Sequence, residues 1–154
     1  MRVFKFGGAS VKDADGIKNV YDVLQKVGYE DVILVVSAMG KTTNALEVVI
    51  KNYFEKSEEL NSSVQEIKNY HFKIVLDLFK DENHAVFAAV NAQFEELEYF
   101  LAHNKSPNYN FVYDQVVSFG ELISTNILSH FMNFMGIQTQ WLDVRNFIKT
   151  NANY

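Results

Sequence analysis

The sequence has no cysteine in its 154 residues, and only one proline and one tryptophan. Without cysteine there is no disulfide, no thiolate metal ligand and no cysteine nucleophile, and the composition suits a reducing compartment such as the cytoplasm. No apolar run approaches the roughly eighteen residues that a membrane-spanning helix requires, so no membrane partner is expected. The opening Met1-Arg2-Val3-Phe4-Lys5-Phe6 is charged at Arg2 and Lys5 and lacks the apolar centre of a signal peptide. A basic block is missing too. Lys+Arg 14 against Asp+Glu 19 gives a net charge of −5, which argues against nucleic acid as the main partner. The four histidines, His71, His84, His103 and His130, show no metal-ligand spacing, and no metal site is expected.

What is present is enough apolar material for one core: 48% hydrophobic and 14% aromatic residues, with 21% charged. Residues 2–6 form a short β-prone run that ends at Gly7-Gly8, and Asp31–Val36 is a continuous apolar run of the kind found in buried parallel strands. Between them Ile17, Val20, Tyr21, Leu24 and Val27 recur at helical spacing, with Gly28 as the C-terminal cap. This is a β-α-β unit, so the turns at 7–10 and 37–43 should share one edge of the sheet. The middle of the chain carries helical stripes: Leu46, Val49, Ile50 and Tyr53; then Leu60, Val64, Ile67, His71, Ile74 and Leu78; then Val86, Val90, Phe94, Leu97 and Leu101. Ser106-Pro107 predicts a helix start. From there Val112, Val116, Phe119, Ile123, Ile127, Phe131 and Phe134 keep the helical period. Gly120 interrupts that stripe, which predicts a break or a close approach. Residues 138–142 read as a third strand. About three strands against five or six apolar-faced helices describe an α/β fold whose sheet is unfinished.

Three segments carry candidate chemistry. Lys5-Phe6-Gly7-Gly8-Ala9-Ser10-Val11 runs from a strand through paired glycines and a hydroxyl to a helix start near Asp13, an arrangement that exposes backbone N–H groups to an anion such as phosphate. Lys5 would add a compact positive charge to a transferring phosphoryl group. The same residues also serve as an ordinary tight strand-to-helix turn. Ser37-Ala38-Met39-Gly40-Lys41-Thr42-Thr43-Asn44 places hydroxyls at the second strand's exit, either to hold a substrate carboxylate or ammonium group or simply to cap the helix, with Asn44 and Glu47 at capping-box spacing. In Ser118-Phe119-Gly120-Glu121 a glycine adjoins an acid, which suits an ammonium ligand if the segment packs under the strand exits and is otherwise a solvated helix glutamate. His71, on an apolar stripe, reads as a core histidine.

Taken in order, Lys-Phe-Gly-Gly-Ala-Ser-Val at 5–11, Val-Val-Ser-Ala-Met-Gly-Lys-Thr-Thr-Asn at 35–44 and Ser-Phe-Gly-Glu at 118–121 resemble the aspartate kinases of the amino acid kinase superfamily. Trp141-Leu142-Asp143-Val144-Arg145 and Thr150-Asn151 extend the resemblance over essentially the whole chain. It implies a three-layer α/β/α sandwich with a mainly parallel sheet, here truncated, with a helical insertion after the second strand. It also implies MgATP-dependent phosphorylation of the side-chain carboxylate of L-aspartate to 4-phospho-L-aspartate, on the route to lysine, threonine and methionine. Lys5 would stabilise the transferred phosphoryl group; Gly7, Gly8 and Ser10 would line the ATP phosphates; Ser37, Thr43 and Glu121 would contact aspartate, with Glu121 at its ammonium. Mg2+ would be carried by the nucleotide, and the parent enzyme would be a homo-oligomer.

Two departures from the family pattern stand out. Ala9 replaces the usual threonine, and the family's Gly-Arg-Gly-Gly-Ser-Asp segment, purine pocket and regulatory domains do not occur in this sequence. Residues 1–154 are therefore expected to be the amino-terminal, amino-acid-substrate part of a kinase domain, inactive in isolation. The alternative is a noncatalytic interaction module derived from such a kinase.

Overall fold

The computed structural model describes residues 1–149. In chain order it contains β1 (Arg2–Phe6), a 3-10 turn (Gly8–Val11), α1 (Ala14–Val27), β2 (Val32–Val36), α2 (Thr42–Glu55), α3 (Leu60–Phe79), α4 (Ala85–His103), α5 (Tyr109–Phe134) and a second 3-10 turn (Val144–Asn146). β1 and β2 pair in parallel, from Arg2 opposite Val32 to Phe6 opposite Val36, with α1 as the crossover between them. The β-α-β unit is therefore as expected. Asp13 begins α1 by accepting the Gly16 N–H at 2.8 Å, and Gly28, at φ 82°, ends it by donating to the Leu24 carbonyl at 2.9 Å.

The four helices after β2 form the insertion the sequence predicts. Leu46 and Ile50 of α2, Phe94 and Leu97 of α4, and Ile123 and Ile127 of α5 are fully buried together. α5 packs chiefly against α4 and α2 and also touches β2. Its apolar stripe decides its continuity. Each buried Leu, Ile or Phe contributes about 1.5–3 kcal/mol, which outweighs the roughly 1 kcal/mol that glycine costs inside a helix. α5 accordingly runs unbroken through Gly120.

The two faces of the sheet differ. Phe4, Phe6, Leu34 and Val36 turn toward the helices and pack on the core. On the opposite face Val3, Ile33 and Val35 remain 59%, 46% and 45% exposed, and Lys5 stands among them.

Three expectations need correction. Residues 138–142 form no strand, because side chains of α5 claim this segment: Asn133 accepts the Thr139 N–H at 2.9 Å, and the Trp141 indole donates to the Thr125 hydroxyl at 2.8 Å. β-prone residues without a partnered edge do not make a strand. α5 starts at Tyr109 rather than at Ser106-Pro107, since Asn108 caps the Phe111 N–H while Ser106 is held in a turn by Asn104. α2 starts at Thr42, so Asn44 and Glu47 form no capping box; the Thr42 hydroxyl and amide both donate to the Met39 carbonyl, at 2.6 and 3.0 Å, and wind the first turn earlier. Thr150-Asn151 lie outside the described residues.

Candidate active site

The carboxyl ends of both strands open onto one edge, and their turns are bonded to each other. The Ser37 amide continues the ladder by donating to the Phe6 carbonyl at 3.0 Å, and the Gly40 amide donates to the Gly8 carbonyl at 3.0 Å. Within the first turn the Ser10 amide donates to the Gly7 carbonyl at 2.9 Å. The paired glycines turn out to have different reasons. A Cβ on Gly8 would lie 2.5 Å from the Ala38 carbonyl oxygen, so glycine there permits the two turns to touch. A Cβ on Gly7 would meet nothing within 4 Å, so the space beside Gly7 is open and available to a ligand.

Gly120 makes the close approach that its position in the stripe suggested. A Cβ there would sit 2.8 Å from the Ala38 Cβ and 3.4 Å from Leu46 Cδ1, which brings α5 directly beneath the β2 exit. The next residue, Glu121, reaches the same place: its Oε1 accepts the Ala38 N–H at 3.3 Å across 83 residues of sequence. One helical turn later Ser124, fully buried, donates its hydroxyl to the Ser37 carbonyl at 2.8 Å. The condition set for Ser118–Glu121 is met, because this segment packs under the strand exits.

Ser37, Thr43 and Glu121 are thus on adjoining elements around one edge, all half-buried, and Gly7, Gly8 and Ser10 border the same edge from β1. Lys5 is exposed on β1, opposite Val35, one residue from the first turn. Two contributors went unrecognised at the level of sequence. Ser124 lies four residues after Gly120, hence on the same helical face, and that spacing was a usable signal. Ala38, wedged between Gly8 and Gly120, carried none.

Beneath this edge lies a polar group in the core. His71 of α3 is fully buried, as its place on an apolar stripe implied. Its Nδ1–H donates to the Ile67 carbonyl at 2.8 Å, which leaves Nε2 unprotonated 3.4 Å from the Thr42 hydroxyl. Burial lowers the imidazole pKa to about 4, partly opposed by the Ile67 carbonyl, so the ring is neutral at physiological pH. The neutral ring packs beside Thr42 under the second turn and adds no charge to the edge.

Comparison with known proteins finds relatives along the whole chain. The sequence profile described as the amino acid kinase family matches residues 1–154. The chain is 33% identical over 144 residues to aspartokinase 1, chloroplastic, of Arabidopsis thaliana, covering 92% of this chain and 25% of that protein. It is 28% identical over 148 residues to bifunctional aspartokinase/homoserine dehydrogenase 2 of Escherichia coli K12, covering 96% of this chain and 18% of that one. The crystal structure of E. coli aspartokinase III in complex with aspartate and ADP superposes with a TM-score of 0.84 at 27% identity, over 100% of this chain and 33% of that one. The fold is thus the one this enzyme's structure has over the matched third, and the chain spans 18% to 33% of the length of these proteins.

Proposed function

The chain belongs to the amino acid kinase family, and on that premise we propose that it is the amino-acid-substrate part of an aspartate kinase, with the nucleotide-binding half and regulatory domains outside residues 1–154. The observation that carries this reading is the convergence of two sequence-distant segments on Ala38: Gly8 above it, and α5, whose Gly120 lies below it and whose Glu121 is bonded to its amide. Those segments hold the residues that resemble the family's site. The aspartate- and ADP-bound state of E. coli aspartokinase III adds support for the substrate pair.

The chemistry suits the groups present. An aspartate side-chain carboxylate, with an ordinary pKa near 4, is ionised at neutral pH and needs no general base. One of its oxygens attacks the γ-phosphorus of ATP, the new O–P bond forms as the bond to the β-phosphate oxygen breaks, and ADP leaves with that electron pair. What the protein must supply is alignment and positive charge. Lys5 supplies charge to the phosphoryl group in transit; the open space at Gly7, with Gly8 and Ser10, takes the phosphates; Ser37 and Thr43 hold the substrate; Glu121 faces its ammonium. Mg2+ arrives on the nucleotide and offsets phosphate charge. Among the described residues no group of three or more His, Asp and Glu side chains could hold a metal ion.

On the same reading the enzyme acts in the cytoplasm as a homo-oligomer, at the head of lysine, threonine and methionine formation. Among the described residues no helix is long and apolar enough to cross a membrane. Residues 1–154 alone turn over no ATP. The test is aspartate-dependent ADP release by the full-length protein. Lys5→Ala should lower kcat by about a hundredfold or more, and Glu121→Gln should mainly raise KM for aspartate. Wild-type rates in both variants would remove the proposed site.

A further inference from the structure

The two strand-exit turns are held from a third side by a residue that none of the recognised motifs contains. Tyr70, on α3, donates its hydroxyl to the carbonyl of Lys12, the residue that closes the 3-10 turn after Ser10. The same oxygen lies 2.7 Å from where a Cβ on Gly40 would sit, and Gly40 is in the left-handed region at φ 54°. Gly40 in turn donates to the Gly8 carbonyl at 3.0 Å. One phenol thus touches both turns at the point where they meet, and its ring is fixed edge-on against His71, with centroids 5.0 Å apart. Burial first, and then the charge of Asp13, raises the Tyr70 pKa above its ordinary value, so the proton it donates is in place at neutral pH. A cavity of about 530 Å³ bordered by Lys12, Gly40, Lys41, Glu66 and Tyr70 opens on this side, so no packed side chain stands ready to replace the hydroxyl.

We propose that Tyr70 is a positioning residue of the phosphoryl-transfer site, whose hydroxyl clamps the phosphate turn at 7–12 to the substrate turn at 37–43. The proposal rests on the aspartate kinase reading for its catalytic consequence, though not for the clamp. The distance between an attacking carboxylate and the γ-phosphorus is set by how these two turns are spaced. Each turn keeps its own contacts when the clamp is lost: Ser10 to Gly7 in one, Thr42 to Met39 in the other. Ground-state binding to either turn is therefore largely preserved, and alignment between them is what suffers.

The test is Tyr70→Phe in the full-length protein, which removes one oxygen and keeps the ring. We expect kcat to fall about tenfold with both KM values within about twofold of wild type, because a small misplacement of reacting groups acts on the chemical step. Amide hydrogen exchange followed by mass spectrometry should quicken locally, about tenfold, in peptides covering 7–12 and 38–43, and remain unchanged in α4. A general loss of protection across all helices, or unchanged exchange in the two turns, overturns the clamp. Faster exchange in the turns with wild-type kcat overturns the positioning role. If the wild-type protein does not phosphorylate aspartate, the substrate reading fails while the exchange result still decides the clamp.

Discussion

Replacing Gly120 with alanine sets two effects of known sign against each other. An interior helix glycine costs about 1 kcal/mol relative to alanine, so at an open position Gly→Ala would stabilise α5 by that amount. Position 120 is not open. The new Cβ would fall 2.8 Å from the Ala38 Cβ, closer than non-bonded carbons approach, and 3.4 and 3.5 Å from Leu46 Cδ1 and Thr42 Cγ2. The Ala38 Cβ is fixed to the backbone and cannot swing aside, so α5 or the 37–43 turn must move. Forcing a methyl group into a packed site costs about 1–3 kcal/mol, which cancels the helix gain and leaves a net destabilisation of up to about 2 kcal/mol. For a chain of this size that is a fall in Tm of up to about 8 °C. The displacement also carries Glu121 away from the Ala38 amide, now 3.3 Å distant, so aspartate-dependent turnover should fall further than stability does. Adding Ala38→Gly removes the clashing methyl and should recover most of the loss, with a coupling of about 1 kcal/mol or more in the double-mutant cycle. Urea unfolding of the four proteins, followed by circular dichroism, measures it. A Gly120→Ala protein that is stabilised by about 1 kcal/mol would refute the close approach and, with it, the placement of Glu121.

The paired glycines should separate by readout. Gly7→Ala, where a Cβ meets nothing within 4 Å and φ is −77°, should leave Tm nearly unchanged while lowering ADP release, whereas Gly8→Ala, with its Cβ 2.5 Å from the Ala38 carbonyl oxygen, should lower Tm as well. Thermal unfolding and turnover of both variants check this, and equal behaviour would contradict it. His71 should make the fold acid-sensitive. Its folded pKa of about 4 lies below the unfolded value of about 6.5, so its contribution is complete above pH 6.5 and is lost as the pH falls from there toward 4, about 3 kcal/mol in all. Urea midpoints from pH 7 to pH 4.5 should fall less steeply in His71→Gln than in wild type, and parallel slopes would show that the ring titrates normally.

Periodicity made the β-α-β unit and the buried stripes legible, because apolar burial is the largest local term and leaves a regular trace in sequence. Helix starts were less so. Thr42 opens α2 through bonds to the Met39 carbonyl, with Lys41 at the N-cap position, and Asn108 caps the Phe111 N–H of α5, so Asn44 and Ser106, good caps by residue type, take neither position. The absent strand at 138–142 has the same cause: Thr139 and Trp141 are bonded to side chains of α5, and no local preference records that competition. Within the site, Lys5, Gly7, Gly8, Ser10, Ser37, Thr43 and Glu121 stood out through motifs. Ser124 and Tyr70 lie outside the motifs and Ala38 lies inside one without a role of its own, since their parts depend on what a distant segment presents to them. Tyr70 also occupies a helical position where a tyrosine is otherwise unremarkable.

The division between visible and hidden residues follows from the kind of chemistry proposed. A carboxylate nucleophile that needs no base reduces the protein's task to charge and spacing. Charge is carried by side chains that a motif can display, such as Lys5 and Glu121. Spacing here is set by backbone contacts among three small residues: Gly8 against the Ala38 carbonyl, and Gly120 against the Ala38 methyl. A side chain larger than hydrogen at 8 or 120, or larger than methyl at 38, would push apart the turn proposed to receive phosphate, the turn proposed to receive aspartate and the helix that carries Glu121. Polar bonds then hold what the small residues allow. Ser124 ties α5 to the Ser37 carbonyl from below, and Tyr70 bonds the Lys12 carbonyl while its hydroxyl lies against the Gly40 corner from the side. The long helical insertion has a physical purpose on this account: α3 and α5 bring those two hydroxyls to the strand exits from segments more than thirty residues away, and the core between them keeps their spacing from relaxing.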